Sequence, residues 1–448
     1  MKERRYDVDL IDTLLDLAQR PHETLPSESM RLARLSFFDW MVCGLAAADE
    51  PVTQKLLRFV EEEGGRATAS TFGGGRAPAR AAALANGTIS HALDYDDTHF
   101  AHIGHLSVGI YPAAFAAGEE VGGRMKEVHA AFLLGAESAI RVGLALGPGH
   151  YERGFHQTAT AGAFGATVAA GRLYGLNRDQ MRAALGLCST RASGLKNQFG
   201  TMGKPLNAGI AAANGIECAR LAALGLTSAD DGISGAQGFI ATHSDAATGA
   251  PDLPNPFLFD DIRYKLHACC HGTHAMIEAL LKVQADRSID AAEVQSVTIT
   301  VHPKWLNVCD IKQPRTGLEV KFSYVWLAAM VLSGISTSSP MRYTDALAND
   351  ISLKGLAQKV RVATDPSVAD TAAKVALAYA DGTEFAQEHD LMAQFPIDEI
   401  EGRVIHKAQT MLGERAGTIW GQLTRAGGSD ARDIAKSLVF IDGVAESL

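Results

Sequence analysis

The sequence contains no Cys-x-x-Cys pair, no Gly-Lys-Ser/Thr phosphate loop and no strand that leads into Gly-x-Gly-x-x-Gly. Without the first, zinc ribbons, thioredoxin-type redox centres and common iron–sulfur spacings are poorly supported. Without the other two, a nucleotide cofactor is disfavoured, and Gly73-Gly74-Gly75-Arg76 resembles a phosphate loop only superficially. We therefore expect a protein without a cofactor of these kinds.

Positive charge is also scarce, because 41 Lys and Arg face 51 Asp and Glu, which gives a formal net charge of -10. Such a surface repels phosphate backbones, so we expect no nucleic acid partner. The absence of a secretory signal and of any apolar run long enough to cross a bilayer predicts a cytoplasmic protein with no membrane partner. At 448 residues, 47% of them hydrophobic, the chain has enough core material for two domains.

Apolar residues recur at helical steps through roughly the first 260 residues. Helices are predicted near 51–63, 77–93, 107–121, 127–146, 156–174, 178–190 and 205–224. The pattern then changes, because 294–301 is β-branched and partly alternating and 374–379 is a weaker strand candidate. We predict a mainly α protein in which an α+β domain at 262–392 interrupts a helical domain at 1–261, which the C-terminal helices at 393–448 complete.

Four histidines, three aspartates and a threonine fall within the fifteen residues from His91 to His105. His91, Asp94, Thr98, His102 and His105 follow steps of three and four, so a continuous helix would line them along one face. Such a face suits proton transfer or metal binding. The alternative is a polar loop exposed to solvent, and this segment alone does not decide between the two.

A metal ion could take its ligands from His99, His102, His105 and Asp97. The chain lacks His-Glu-x-x-His and related zinc signatures, and three-residue steps in a segment with glycine are weak evidence. We therefore predict no bound metal, and a metal-dependent hydrolase remains an alternative.

The other candidate side chains are scattered along the sequence. Lys204 precedes Pro205, which suits the start of a helix to about residue 224, so its ammonium and the helix N-terminus could bind a carboxylate. His156 opens a helix of small residues and could serve as a base or as a donor to an anion. The stretch 264–274 is a second histidine cluster beside a lysine, and Tyr324 precedes an apolar helix. Each also has a plain structural explanation, as a surface lysine, a cap, a solvated loop or a core aromatic.

Taken in order, these motifs resemble the MmgE/PrpD family, which includes 2-methylcitrate dehydratases and cis-aconitate decarboxylases. The resemblance covers nearly the whole chain. It implies a cofactor-free enzyme that acts on small di- or tricarboxylates, with a large helical domain, a smaller lid domain and a homodimeric assembly. The matching segments are Asn86-Gly87, His91 to Thr98, Gly154-Phe155-His156, Lys204-Pro205-Leu206-Asn207-x-Gly209, Lys265 to His274 and Lys321-Phe322-Ser323.

The resemblance also implies site residues, carried over position by position to Asp94, Thr98, His105, His156, Lys204 and Lys265. We predict that one group is catalytic, namely His105, His156, Asp94, Lys265 and Tyr324. A second group is predicted to bind substrate, namely Thr98, Lys204, His102 and His274.

Two departures from the family pattern bear on the reaction. Leu106 stands where dehydratases and decarboxylases tend to have the proline of His-Pro-Ser, and Trp326 stands where many members have the tyrosine of Lys-Phe-Ser-x-x-Tyr. Tyr324 is therefore only a substitute for that tyrosine.

These departures, with a length near that of iminodisuccinate epimerases, slightly favour an epimerase of an iminodisuccinate-type substrate. The alternative is a 2-methylcitrate dehydratase-like hydro-lyase or a cis-aconitate decarboxylase. All three reactions pass through a carbanion-like intermediate, so much the same acid and base groups can serve each of them. A metal-dependent hydrolase and a non-catalytic carboxylate-binding protein are less favoured.

Overall fold

The computed structural model describes residues 7–244, 257–286, 291–425 and 428–440. Within these ranges the chain forms nineteen α-helices, a two-stranded ribbon and a four-stranded sheet. The prediction of a mainly α protein is confirmed. The chain divides into two compact units, one of Met1–Tyr264 with Leu412–Leu448 and the other of Lys265–Met411.

The first unit is built almost wholly from helices, with one short antiparallel ribbon. The helices are α1 (Asp7–Gln19), α2 (Ser27–Ala46), α3 (Pro51–Glu63), α4 (Ala79–Ser90), α5 (Ser107–Val121), α6 (Met125–Arg153), α7 (Gln157–Leu173), α8 (Arg178–Ser189), α9 (Gly203–Ala223) and α10 (Phe239–His243), and the ribbon pairs β1 (Ala69–Ser70) with β2 (Arg76–Ala77). All seven helices predicted between residues 51 and 224 are present.

The second unit combines a sheet with shorter helices. Its helices are α11 (His274–Asp286), α12 (Leu306–Cys309), α13 (Gly317–Val320), α14 (Tyr324–Leu332), α15 (Asp345–Ala348), α16 (Ile351–Ala357) and α17 (Ile397–Leu412), and its strands are β3 (Val294–Val301), β4 (Val360–Thr364), β5 (Ala372–Tyr379) and β6 (Glu384–Asp390). The helices α18 (Glu414–Arg425) and α19 (Ala431–Ala435) follow in the first unit.

The sheet has the strand order β4-β3-β5-β6. Strand β3 is parallel to β4 and antiparallel to β5, while β5 and β6 form a hairpin through a turn at Gly382, whose φ is 85°. The apolar strand β3 and the weaker candidate in β5 were both predicted. Strand β6 was not, because Glu384, Gln387 and Glu388 give an edge strand a polar sequence.

Glycine allows the central helices of the first unit to approach closely. A Cβ at Gly87 on α4 would lie 2.8 Å from the Cα of Gly209 on α9, and one at Gly135 on α6 would lie 2.5 Å from the carbonyl oxygen of Gly165 on α7. The backbones therefore pack at distances that only glycine permits. This contact holds α4, which leads into the histidine-rich segment, directly against α9, which carries Lys204.

Helix α6 is interrupted near its C-terminal end. Gly147 has φ 69° and ψ 176°, and Pro148 follows it, so the helix predicted near 127–146 continues past a kink to Arg153. Among the residues that the structure describes, α6 is long and apolar enough to cross a membrane, with a mean hydropathy of 1.4. Because 89% of that apolar window is buried inside the protein, α6 matches the core helix of a globular unit equally well.

Candidate active site

The histidine-rich segment is a loop between α4 and α5. Helix α4 ends at Ser90, and residues 91–106 form turns and an isolated bridge between His99 and Gly104. The continuous helix considered from the three- and four-residue steps is therefore absent. Asp94 adopts φ 50°, a left-handed conformation that aspartate tolerates better than most residues. The loop nonetheless brings several of its carboxylates and imidazoles together.

Asp96 lies at the centre of this group and contacts two histidines. Its Oδ1 lies 2.8 Å from Nδ1 of His91, and its Oδ2 lies 2.7 Å from Nδ1 of His105. Burial would raise the pKa of Asp96, but His105 and His91 together hold it well below its ordinary value. An ionised Asp96 accepts a hydrogen bond from Nδ1 of His91 and contacts Nδ1 of His105, so Nε2 of each ring is the nitrogen left for proton transfer.

His91 and His105 are neighbours with different surroundings. Their ring centroids are 4.5 Å apart, and the ring of His91 also stacks 6.3 Å from that of His156. Burial lowers the pKa of His91 to about 4 against the opposing charge of Asp96, so this imidazole is neutral near pH 7. His105 keeps a tenth of its side chain exposed, and its Nε2 lies 3.5 Å from Oδ1 of Asp94.

Lys204 supplies a positive charge on the other side of Asp94. Its Nζ lies 2.7 Å from Oδ1 of Asp94, and 16% of the lysine side chain is exposed. Helix α9 begins at Gly203, so Lys204 lies within the first turn and not before it as predicted. A cation beside the free N–H groups of a helix N-terminus is suited to bind a substrate carboxylate.

His156 precedes the first residue of α7 and is held by α9. Nδ1 of His156 accepts a hydrogen bond of 3.1 Å from the Asn207 side-chain amide, so the neutral ring carries its proton on Nε2. Burial lowers the pKa of His156 well below 6.5, and the nearby His91, Lys204 and His105 lower it further, while Asp94 opposes them. At neutral pH His156 is therefore an uncharged imidazole in a cationic environment.

Asp97 anchors the end of the loop to α5. Its carboxyl accepts from the Ser107 hydroxyl and, at 3.1 Å, from the Ser107 backbone N–H. Burial and the neighbouring charge of Asp96, with a smaller effect of Asp39, raise the pKa of Asp97 to about 7. Two adjacent aspartates thus have opposite pKa shifts, and only Asp96 is firmly ionised at neutral pH.

The structure brings together four of the predicted residues, Asp94, His105, His156 and Lys204. Thr98 is on the same loop, where its backbone pairs with Arg263 through hydrogen bonds of 2.7 and 2.8 Å. His102 is fully buried against α6, where a Cβ on Gly143 would lie 2.9 Å from its Nδ1. The substrate-binding role predicted for these last two is untested.

The other three predicted residues belong to the second unit. Lys265 is 3% exposed and His274 is 2% exposed. The Tyr324 hydroxyl donates to the Gly272 carbonyl at 2.8 Å, and burial raises the pKa of the phenol above its ordinary value. The catalytic role predicted for Tyr324 therefore competes with a hydrogen bond to the backbone.

The second unit also contains a cleft of about 650 Å³. Its wall includes His267, whose Nδ1 lies 2.7 Å from the Thr337 hydroxyl and whose Nε2 lies 3.1 Å from Glu278. Arg403 pairs with the same glutamate. No predicted site residue lines this cleft among the residues that the structure describes, so we assign it no part in the reaction.

Three residues of the cluster were missing from the predicted site, namely His91, Asp96 and Asn207. All three stand inside the motifs that carried the family resemblance. Asn207 follows Lys204 by three residues, which places both on one face of α9 and could have identified it. The partnership of Asp96 with two histidines depends on the course of an irregular loop, for which the sequence has no periodic signal.

A metal ion could use the same cluster. His91, Asp94, Asp96 and His105 each offer a ligand atom, and these atoms lie within 4.8 Å of one another. The set differs from the four residues considered in the sequence, of which only His105 is common to both. The Lys204 ammonium already contacts Asp94, so a bound cation would have to compete with it.

The known proteins that the chain resembles include several named as cis-aconitate decarboxylases or as similar to them. The chain is 30% identical to a cis-aconitate decarboxylase-like protein, oryM, of Aspergillus oryzae over 58% of each chain. It is 30% identical to a cis-aconitate decarboxylase of Aspergillus terreus over 58% of this chain and 57% of the relative. A mouse cis-aconitate decarboxylase is 23% identical over 81% of this chain and 78% of its own. The chain therefore matches less than two thirds of the length of the two fungal relatives.

Family models match along most of the sequence. The MmgE/PrpD N-terminal domain matches residues 17–250, which include the whole cluster around Asp96. The MmgE/PrpD C-terminal domain matches residues 267–414, which include His274 and Tyr324. With both matches in chain order, and with the motifs from Asn86 to Ser323 in place, this chain belongs to the MmgE/PrpD family.

Proposed function

We propose that the protein is a lyase that removes carbon dioxide from a small unsaturated tricarboxylate of the cis-aconitate type. The observation that carries the proposal is the cluster in which Asp96 orients two histidines beside the Asp94–Lys204 ion pair. The relatives named as cis-aconitate decarboxylases support this choice of substrate.

The cluster supplies the groups that such a reaction needs. Lys204 binds a substrate carboxylate, and that carboxylate displaces Asp94 from the lysine ammonium. When the carbon–carbon bond to the departing carboxylate breaks, its electron pair remains on the substrate as a carbanion. His105, whose Nδ1 lies against the Asp96 carboxylate, then donates its Nε2 proton to that carbon.

The epimerase favoured in the sequence analysis is not supported by these relatives, and the decarboxylase alternative is. Epimerisation would need two proton-handling groups on opposite faces of one carbon, whereas decarboxylation needs one acid. A dehydratase of the 2-methylcitrate type uses a base and an acid and remains the second candidate, because His156 is neutral and His105 is paired with a carboxylate.

Incubation of the purified protein in heavy water with cis-aconitate, 2-methylcitrate, citrate and iminodisuccinate tests the proposal. We expect release of carbon dioxide from cis-aconitate and one deuterium on carbon in the product. Deuterium exchange into iminodisuccinate without loss of carbon dioxide would indicate the epimerase instead. Absence of exchange and turnover with all four substrates would indicate a binding protein.

The remaining expectations from the sequence are part of the same proposal. We propose that the second unit acts as a lid, that the protein is a cytoplasmic homodimer and that the reaction needs no cofactor. Sedimentation velocity tests the dimer.

A further inference from the structure

Phe199 lies in the connection between α8 and α9 and is 39% exposed. Its ring centroid lies 5.0 Å from that of His156, with the planes at 82°, and 5.6 Å from Nζ of Lys204. One aromatic ring therefore covers both the neutral imidazole and the ammonium of the cluster.

An apolar ring in this position changes the surroundings of both groups. It replaces water that would otherwise hydrate the Lys204 ammonium and the His156 ring, and its π-face attracts the cation. Charges interact more strongly where water is excluded, so the ring increases the effect of Lys204 on a bound carboxylate.

We infer that Phe199 is a positioning residue of the site, which keeps water away from His156 and holds Lys204 in place for the substrate carboxylate. The inference deepens the proposed function and rests on it for its kinetic consequences. The contacts that carry it belong to the first unit alone.

The effect on His156 has a defined sign. Burial is the largest cause that lowers the pKa of His156, followed by the charges of His91, Lys204 and His105, while Asp94 opposes them. Removing the ring lets water reach His156 and leaves these charged neighbours in place. The pKa of His156 should then rise toward its ordinary value.

The experiment compares Phe199→Ala and Phe199→Leu with Met202→Ala as the matched control. Met202 is an apolar residue of the same connection, is 47% exposed, and precedes the first residue of α9. Titration of the His156 ring by NMR follows its protonation directly, without any need for turnover. We expect a rise of about one pH unit in Phe199→Ala, less than half of that in Phe199→Leu, and none in Met202→Ala.

Kinetics with the accepted substrate give the second measurement. In Phe199→Ala the acidic limb of kcat/KM should move to higher pH by the same amount, and KM should rise about tenfold because Lys204 is less well held. An unchanged His156 titration in a folded Phe199→Ala protein would overturn the inference, as would an equal change in Met202→Ala. If the wild type turns over none of the substrates, the proposed function fails while the NMR titration still tests the role of Phe199.

Discussion

Replacing Asp96 by asparagine should abolish most of the activity while the fold remains intact. The carboxylate accepts one hydrogen bond from Nδ1 of His91, at 2.8 Å, and makes a 2.7 Å contact with Nδ1 of His105. A side-chain amide has one acceptor and one donor end, so it can accept from only one of the two rings. The other histidine must accept from the amide and therefore carries its proton on Nε2.

The size of the effect follows from this change of tautomer and from the lost charge. If His105 changes tautomer, its Nε2 can no longer act as a base, and Asp96 no longer stabilises the protonated ring that is proposed as the acid. A general acid or base contributes about 10²- to 10⁴-fold to the rate, so kcat of Asp96→Asn should fall by about that factor. KM should change little, because Lys204 and its helix N-terminus are untouched.

Asp97→Asn is the matched control, because it removes the neighbouring buried carboxyl. Burial and the charge of Asp96 raise the pKa of Asp97 to about 7, so a neutral amide resembles the form that already predominates below neutrality. Its turnover should stay within about threefold of the wild type, well below the usual effect of losing an acid or base.

The assay is kcat in the heavy-water experiment, with circular dichroism and thermal unfolding to verify the fold of each variant. NMR of the imidazole nitrogens reports the tautomer of His105 directly. A folded Asp96→Asn protein that keeps its turnover would refute this role of Asp96, as would an Asp97→Asn protein that loses as much activity as Asp96→Asn.

Further predictions concern Lys204, the histidines, metal and pH. Lys204→Ala should raise KM by about 10- to 100-fold, since a charge-assisted hydrogen bond contributes about 1.5–3 kcal/mol, whereas Lys196→Ala, whose ammonium donates to a backbone carbonyl, should not. Substitution of His105 or His156 by Ala should lower kcat by about two to four orders of magnitude. Exhaustive chelation should leave activity unchanged, and reversible inactivation would reassign the cluster as metal ligands. The raised pKa of Asp97 contributes stability that is present below about pH 4 and lost as the pH rises through 7. The free energy of unfolding of Asp97→Asn, measured by denaturant titration at each pH, should therefore fall less than that of the wild type over this pH range.

Most of the helical architecture could be predicted because its signal is periodic. The seven central helices lie where apolar residues recur at helical steps, and β3 lies where β-branched residues alternate. The boundaries near the C-terminus were harder, since α17 is assigned to the second unit and α18 to the first although both are amphipathic helices. Periodicity identifies a helix but does not identify the core against which it packs.

The site could be predicted only where a residue type stands out on a regular element. Lys204 and His156 are at helix starts, so their positions followed from capping and charge arguments. Asp96 is one of three aspartates in an irregular loop, and its role depends on a backbone path that includes the left-handed Asp94. Three- and four-residue steps singled out Asp94 and His105 as members of a helix that is absent, and the family resemblance is what implied their roles in the site.

The close approach of α4 to α9 through Gly87 and Gly209 has a consequence for how the protein can diverge. A side chain at either position would push the helices apart and move Lys204 away from His91, so these two sites should tolerate almost no replacement. Leu195, Phe199 and Met202 in the connection before α9 are under no such steric limit, because their apolar side chains are partly exposed. Substrate range can therefore change by substitutions in that connection, while the spacing of the acid, base and cation is inherited unchanged. Libraries that vary residues 195–202 should yield folded proteins with altered selectivity far more often than libraries at the two glycines.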